Sequence, residues 1–393
     1  MIDPSLYSWH ISDASAIALI VALIAAITLI CIVVPRFRLI YRMSLEDAGA
    51  SFPGELPGVS VIISSHSRPD LLLPFVEDIY NQAYPAPLEV IIVNSEGEEY
   101  MADNIKMLQA RFPKLKSTFV PSGSRNLSRR KLAITLGIKA ATQPIVLLTC
   151  GNCRAEGDGW LGAMMRHFAE GADVVIGSTA MRDIDGDKGI GPMRSFDSLI
   201  RAMRRLPAAI SGKPVGADCC NLAYRRQLFF DCGGFSHTLN LNYGDDDIFV
   251  SELAKGNIVE AELSPDSILY TYEPAPRKIY DIERANRVFT SDRLRRGPFI
   301  LTSFTNLLWW LFLGAGAAAI VFGLPSLLPA AAVLVMLISL WLPVSSTAGK
   351  AATVLKIPYK AWTTPFRWIA YPLFLLRYKL GKSRKIRNFT WEN

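Results

Sequence analysis

The stretch PIVLLTCGNCRAEGDGW, residues 144–160, decides the fold. Residues 145–149 form an uninterrupted apolar run, which predicts a strand buried on both faces of a parallel sheet. The loop CGNC follows at residues 150–153, and a helical pattern begins at Trp160. Ligands of open α/β sheets bind outside the carboxyl ends of the strands. We therefore predict that this loop lies at the functional site.

Two further strands precede that stretch. VSVIISS at residues 59–65 and LEVIIVN at residues 88–94 are apolar and β-branched, and a helical pattern lies between them. Strand, helix and strand in this order indicate a βαβ unit. The predicted fold class is α/β, Rossmann-like, with a mostly parallel sheet and helices on both faces.

The composition adds a membrane part. Half of the 393 residues are hydrophobic, and the mean hydropathy is +0.24. Residues 14–34 are apolar and uncharged over the length that crosses a bilayer, and residues 297–345 are long enough for a helical hairpin. Arg36, Arg38 and Arg42 follow the first run, which by the positive-inside rule places the next domain in the cytoplasm.

These observations predict a multi-pass protein of the inner (cytoplasmic) membrane. The predicted segments are an extracytoplasmic N-terminus (1–13), a transmembrane helix (14–34), a juxtamembrane linker (35–57), a cytoplasmic domain (58–296), a transmembrane hairpin (297–345), and an interfacial helix with a basic tail (346–393). The net charge of +7 is concentrated near the membrane segments and not spread as a stripe, so no nucleic-acid partner is expected.

Five segments in order resemble the family-2 glycosyltransferases of the GT-A fold. They are VSVIIS, EVIIVN, LAITLGIKAA before VLLT, NLAYRR, and GGFSH followed by GDDDIFV. The resemblance covers nearly the whole chain, because membrane-anchored members carry one helix before the domain and a hairpin after it. It implies inverting transfer of a sugar from a nucleotide-diphosphate sugar to a lipid-linked, polysaccharide or other membrane-proximal acceptor.

The resemblance also implies site residues. Family members place an aspartate after the second strand, a DxD motif that holds Mg²⁺ or Mn²⁺, an aspartate that acts as general base, and a QxxRW-like motif. Here the second strand ends in Asn94, Ser95 and Glu96, and Cys150-Gly-Asn152 replaces DxD. A thiol and an amide bind hard cations poorly, which disfavours Mg²⁺ or Mn²⁺, and no cofactor is predicted with certainty.

Asp245 is the first candidate for the base and Asp246 the second, although acids at this place also suit a helix N-terminus. The candidate residues for the nucleotide sugar are Ser65, Ser95, Glu96, Cys150, Asn152, Arg129, Arg284 and Arg287, and those for the acceptor are Cys220 and Asn221. Arg284 and Arg287 are expected on one helical face as a phosphate clamp, with the membrane surface as the alternative. Arg129, Arg130 and Lys131 also fit a solvated helix face.

The cysteines leave three interpretations of CGNC. In a reducing compartment structural disulfides are not expected. The motif fits a thiol redox pair, a thiolate metal site of Cys150, Cys153 and Cys219, or small residues where a metal site has decayed. Two functions follow: a transferase without the usual metal site, or a catalytically inactive pseudoenzyme that serves as membrane scaffold or regulatory partner of an active transferase.

Overall fold

The centre of the domain is a sheet whose strands match the apolar runs of the sequence. The computed structural model describes residues 11–50, 54–65, 69–94, 99–121, 128–184, 189–218, 220–239, 241 and 243–385. The strands are β1 (Val59–Ser65), β2 (Leu88–Asn94), β3 (Lys116–Phe119), β4 (Ile145–Cys150), β5 (Cys153–Ala155), β6 (Val174–Ile176), β7 (Thr179–Asp183), β8 (Leu222–Arg225), β9 (Val259–Ala261) and β10 (Leu269–Glu273).

The helices lie on both sides of the sheet and in a separate bundle. They are α1 (Asp13–Ala48), α2 (Pro69–Tyr80), α3 (Glu99–Arg111), α4 (Arg129–Ala140), α5 (Trp160–Ala169), α6 (Pro192–Ile210), α7 (Arg226–Asp231), α8 (Ile248–Leu253), α9 (Pro276–Thr290), α10 (Gly297–Gly323), α11 (Leu328–Val354) and α12 (Thr364–Lys385).

The main sheet has seven strands in the order β3-β2-β1-β4-β8-β6-β9. Strand β1 pairs in parallel with β2 and β4, so Val61 lies between Val90 and Leu147. Strand β8 is antiparallel to both β4 and β6. All six residues of β4 are buried, as its apolar run predicts. The predicted α/β class with a mostly parallel sheet is confirmed.

A second, three-stranded sheet in the order β5-β10-β7 extends the loop after β4. Cys153 begins β5 and pairs with Thr271 of β10. The sequence analysis predicted a loop after β4 and no second sheet. The difference arises because these strands are three to five residues long, too short to show a hydrophobic period.

Three helices, α1, α10 and α11, are long and apolar enough to cross a membrane. They pack together, and near their common end Ser15 Oγ donates to the carbonyl of Ala319 at 2.8 Å. Helix α1 continues through Pro35 to Ala48, where a linker was predicted. Proline removes one backbone bond, but Phe37 and Ile40 are fully buried just beyond it, and this packing keeps the helix continuous.

Helix α6 is the layer between the membrane helices and the sheet. Its apolar residues Phe196, Ile200 and Met203 belong to one hydrophobic cluster with Phe37 of α1 and Trp309 of α10. Helix α12 joins the same cluster through Trp368, whose indole nitrogen donates to Asn306 Oδ1 at 3.0 Å. The two parts of the protein therefore share a core.

A buried set of charges ties the end of α1 to the domain. Arg166 of α5 donates to Asp47 Oδ1 at 2.5 Å and to Glu262 Oε2 at 2.7 Å. The ring of His167 lies 2.8 Å from the same Glu262 oxygen. We call these four residues, which are all buried, the junction network.

Candidate functional site

A cavity lies at the carboxyl end of β4, where the sequence predicts the site. Its volume is about 130 Å³, and we call it the site cavity. The polar and charged residues that line it are Arg130, Asn152, Ser178, Thr179, Ser198, Arg201, Arg205, Asp218, Thr271, Glu273, Tyr280, Glu283, Arg287 and Lys356, together with Cys150 and Cys220. Loops after β4, β6 and β7, strand β10 and the helices α4, α6 and α9 meet here.

Cys150 and Cys220 are joined by a disulfide in this structure. The expectation that the cysteines form no disulfide is therefore corrected. The physical reason is the antiparallel pairing of β4 with β8, which brings the two Cα atoms to 5.1 Å, within the usual range for a disulfide. The bond closes the position where the family resemblance places the first carboxylate of DxD.

The bond removes Cys150 from the expected thiolate site. Cys153 is fully buried, and burial raises the pKa of its thiol to about 11, so it is not a thiolate at neutral pH. Cys219 lies outside the described residues. Within the described ranges, the one group of three close metal-ligand atoms is Asp47, His167 and Glu262, where Arg166 already bonds both carboxylates.

Asn152 is fixed on the second sheet. Its amide nitrogen donates to the carbonyl of Tyr272 at 3.1 Å and to Glu273 Oε1 at 2.8 Å. Its amide oxygen is buried without a hydrogen-bond partner among the described residues. Glu273 is a carboxylate of the cavity that the sequence analysis missed, because it comes from a strand more than a hundred positions away in the chain.

The three aspartates after Gly244 have different environments. Gly244 turns the chain with a φ of +105°, a conformation that disfavours side chains. Asp245 accepts from Arg130 Nε at 2.6 Å. Asp247 caps α8 by accepting from the backbone nitrogen of Ile248 at 2.6 Å, and it also accepts from the hydroxyl of Thr290.

Asp246 is the least buried of the three aspartates. All three line a second cavity of about 100 Å³, which shares Arg130, Glu283 and Arg287 with the site cavity. Its nearest cation is Arg287, whose Nη2 is 3.9 Å from its carboxylate. Burial raises the pKa of Asp246, and the charges of the two neighbouring aspartates raise it further. Burial raises the pKa of Asp247 to about 6, although the hydrogen bonds from Thr290 and Ile248 act to lower it.

The basic start of α4 is not a solvated face. Lys131 is fully buried, and its Nζ donates to the carbonyls of Thr238, Leu241 and Tyr243 at 2.6, 3.0 and 2.9 Å. Burial lowers the pKa of Lys131 to about 8, so it remains mostly protonated at neutral pH. Lys131 thereby holds the loop that carries the aspartates.

Arg130 lines both cavities, whereas Arg129, the residue predicted for the nucleotide sugar, is half-buried and lines neither of them. Arg130 is therefore the residue from the start of α4 that contributes to the cavities. Consecutive side chains of an α-helix point about 100° apart, so Arg129 and Arg130 face different directions.

Arg284 and Arg287 do not form the expected clamp. Arg287 lines the cavities, but Arg284 is buried 2.8 Å from Asp197 of α6. The hydroxyls of Tyr280 and Tyr371 also donate to Asp197, at 2.7 and 2.6 Å. Burial opposes ionisation of Asp197, but Arg284 and its other partners keep its pKa below the usual value. Arg284 points toward α6 and α12. Of the two arginines predicted to clamp a phosphate, Arg287 is therefore the one at the cavity.

Of the two residues predicted to contact the acceptor, Cys220 lines the site cavity and Asn221 does not. Cys220 lines the site cavity through its bond to Cys150. Asn221 is fully buried, donates to the carbonyls of Ser178 and Ser267, and accepts from Trp160 Nε1 at 3.1 Å. Its role is to join the two sheets.

Of the remaining predicted residues, the structure describes Ser65 alone. Ser65 ends β1 and pairs with Asn94 of β2. Ser95 and Glu96 lie outside the described residues.

Several cavity residues were missed. Arg201 and Arg205 lie one turn apart on α6, and Arg205 Nη2 donates to Asp218 Oδ2 at 2.8 Å. Their spacing of four residues in an amphipathic helix was the available signal. The segment 355–358, just after α11, forms another wall of the site cavity and includes Lys356. The cavity is thus built from the domain on one side and the end of the membrane hairpin on the other.

The topology and the position of this cavity define a GT-A-like α/β protein with membrane helices. Residues 60–232 match the model of the Glycosyl transferase family 2.

Solved structures agree on the fold. The mannosyltransferase PcManGT from Pyrobaculum calidifontis, in complex with GDP-Man and Mn²⁺, is similar with a TM-score of 0.52 at 19% identity, over 93% of this chain and 100% of that chain. GalNAc-T7 with UDP, GalNAc and Mn²⁺ has a TM-score of 0.43 at 12% identity, over 61% and 48% of the two chains. The second likeness is too distant to carry an argument. No curated protein matches the sequence significantly.

Proposed function

We propose that the protein is a membrane-anchored glycosyltransferase that moves a sugar, with inversion, from a nucleotide-diphosphate sugar to a lipid-linked or membrane-proximal acceptor. The observation that carries the proposal is the double origin of the site cavity. One wall comes from the carboxyl ends of the sheet, and another comes from residues 355–358 at the end of the membrane hairpin. A donor held by the sheet thus meets an acceptor that arrives from the membrane.

Arginines supply the charge that a leaving diphosphate needs. Arg130, Arg287 and Lys356 line the cavity together with Arg201 and Arg205. Preorganised cations stabilise developing negative charge in a site of low dielectric constant. Arg287 is the best placed, because its contacts with Asp246 and Glu283 are long, at 3.9 and 3.8 Å, and leave it able to turn to a phosphate.

A divalent cation is not part of this mechanism. The mannosyltransferase structure contains Mn²⁺ with GDP-Man, so the cavity residues are compared with the ligands that such a cation needs. Within the described residues, no three ligand atoms of the cavity lie close enough together, and the positions of the two DxD carboxylates hold Cys150 and Asn152. The donor set does not fit, and no step is derived through a metal.

Asp246 is our proposed general base, ahead of Asp245. All three aspartates line the second cavity, but Asp245 is paired with Arg130 and Asp247 caps a helix, whereas the contact of Asp246 with Arg287 is long, at 3.9 Å. In the transfer, the acceptor oxygen bonds to the anomeric carbon and the bond from that carbon to the phosphate oxygen breaks. The acceptor proton goes to Asp246, and the diphosphate leaves toward Arg287. A carboxylate with a raised pKa suits this task, because a general base works best with a pKa near the ambient pH.

One observation favours the second candidate, a catalytically inactive partner of an active transferase. The disulfide and the bonds of Asn152 to Glu273 occupy the position where family members hold the diphosphate through a metal. A protein whose donor site is closed in this way keeps the fold and the membrane anchor but not the chemistry.

We propose that the protein lies in the inner membrane and that its main domain faces the cytoplasm. The support is the group Arg36, Arg38 and Arg42 after the apolar part of α1, and the three helices able to span a membrane.

Nucleotide binding separates the candidates. The full chain in detergent is titrated with UDP and GDP, with and without Mn²⁺, under reducing and non-reducing conditions. The transferase predicts binding without Mn²⁺ that Arg287→Ala weakens, whereas Lys278→Ala, an exposed cation on the same helix, leaves it unchanged.

No binding at millimolar nucleotide in either redox state rejects the transferase and supports the inactive partner. Tight binding that requires Mn²⁺ shows instead that the cavity does hold a cation, which contradicts the arginine mechanism.

A further inference from the structure

A third cavity, distinct from the two described above, opens where the membrane helices enter the domain. It lies between α1, α6 and α10 and has a volume of about 600 Å³, against about 130 Å³ for the site cavity. We call it the interfacial groove. This size is typical of sites for small molecules.

The groove lies at the boundary between apolar and polar parts of the membrane helices. Arg36 follows the apolar run of α1, and Gly297 and Pro298 begin α10. Both helices therefore leave the hydrocarbon region at this level, where lipid head groups are found.

The lining combines charge with apolar surface. Arg36, Arg204, Lys213, Arg295 and Arg296 supply five cations, and none of the described residues that line the groove is a carboxylate. Met203, Pro207 and Leu301 supply apolar walls. A phospholipid has the matching combination of a charged head group and apolar acyl chains.

The cations of the groove lack anionic partners. In the described part of the chain, none of the five forms an ion pair with a carboxylate, whereas Arg201 and Arg205 of the same helix α6 are paired with Asp197 and Asp218. Arg204 lies 4.2 Å over the ring of Phe299, and its Nε is buried without a hydrogen-bond partner there. Cations that converge without counter-charges repel one another, and a bound anion relieves this.

We propose that the interfacial groove binds an anionic phospholipid of the surrounding leaflet, with the head-group phosphate among Arg204, Arg295 and Arg296 and an acyl chain against Leu301. The site is separate from the site cavity. It serves to hold the domain at a fixed height on the membrane, and it is expected in an active or an inactive protein alike.

The test measures lipid binding to the full chain purified in an uncharged detergent. Short-chain phosphatidylglycerol and phosphatidylcholine are titrated, and bound lipid is counted by native mass spectrometry. We expect phosphatidylglycerol to bind at least tenfold more tightly. The variant Arg295→Gln/Arg296→Gln, which changes two exposed residues, is expected to weaken it by about fivefold for each cation removed.

A charge-matched control is Lys278→Gln/Lys379→Gln, which removes two exposed cations outside the groove and leaves the affinity unchanged. Equal affinity for the two lipids overturns the proposal, as does a groove variant that binds like the wild type. If millimolar inorganic phosphate displaces the lipid head group completely, the groove is an anion site and not a lipid site.

Discussion

The protein contains two buried charge clusters that differ in how their carboxylates are paired. In the junction network, Glu262 is contacted by Arg166 and His167. Burial alone would raise the pKa of Glu262, but these partners lower it to about 2. In the loop after Gly244, the ion pair of Asp246 with Arg287 is long, at 3.9 Å, and burial raises the pKa of Asp246. Burial acts on both carboxylates, so the close cation and imidazole beside Glu262 account for the opposite direction of its pKa shift.

The largest effect is expected from Asp246→Asn, which removes the proposed base but keeps the shape of the side chain. If the protein is a transferase, the rate of sugar transfer should fall by about 10² to 10⁴, the usual contribution of a general base. Transfer from a labelled nucleotide sugar measures this. Asp231→Asn, an exposed change on α7, is the control. A rate within a few-fold of wild type would remove Asp246 from the mechanism.

Next in size is Arg166→Met, which breaks the junction network. Asp47 and Glu262 would then be buried without their shared cation, a loss worth about 3 to 5 kcal/mol of unfolding free energy. Denaturation in detergent measures the change. Arg154→Met breaks a more exposed pair with Asp78 and should cost about 1 kcal/mol or less. Similar losses for the two variants would contradict the structural role given to the network.

A smaller effect is expected where a cation supports the reactive loop. Lys131→Met leaves the carbonyls of Thr238, Leu241 and Tyr243 without their donor, which should cost about 3 kcal/mol in total. Lys139→Met on the same helix is exposed and should be neutral. Thermal unfolding distinguishes the two, and equal melting temperatures would show that the loop is held by other contacts.

The smallest effect concerns pH. Asp247 has a folded pKa of about 6, above the unfolded value near 3.8, so the folded state binds the extra proton between these values. Its contribution therefore stabilises the protein at low pH and is lost as the pH rises through 6. Asp247→Asn should remove this pH dependence while still capping α8. Asp266→Asn is an exposed control, and an unchanged slope in both variants would refute the shift.

Glu262 has the opposite sign. Its lowered pKa adds stability above pH 4.5, and that stability is lost as the pH falls toward 2. Measured over both windows, the two slopes compare Glu262, which contacts Arg166 and His167, with Asp247, which accepts hydrogen bonds from Ile248 and Thr290.

The sequence was sufficient where structure depends on local pattern. The strands β1, β2 and β4 follow from their apolar runs, and the helices α10 and much of α1 follow from their hydrophobic length. A signal for Lys131 was also present, since Ile134 and Ile138 lie at three and seven residues along the same buried stripe.

The rest depends on contacts between distant parts of the chain. Arg166 meets Asp47 across 119 positions and Glu262 across 96, and no local pattern records such a meeting. The same holds for the bond between Cys150 and Cys220, which follows from the pairing of two antiparallel strands. Arg284 was misplaced because its direction is set by Asp197 of another helix.

The wall formed by residues 355–358 has a consequence for biosynthesis. Chains are made from the N-terminus, and domains generally begin to fold in that order. This wall leaves the ribosome only after both helices of the hairpin, so the sheet is complete long before the cavity is. The site therefore acquires its final shape only after α10 and α11 have been synthesised and packed against the domain.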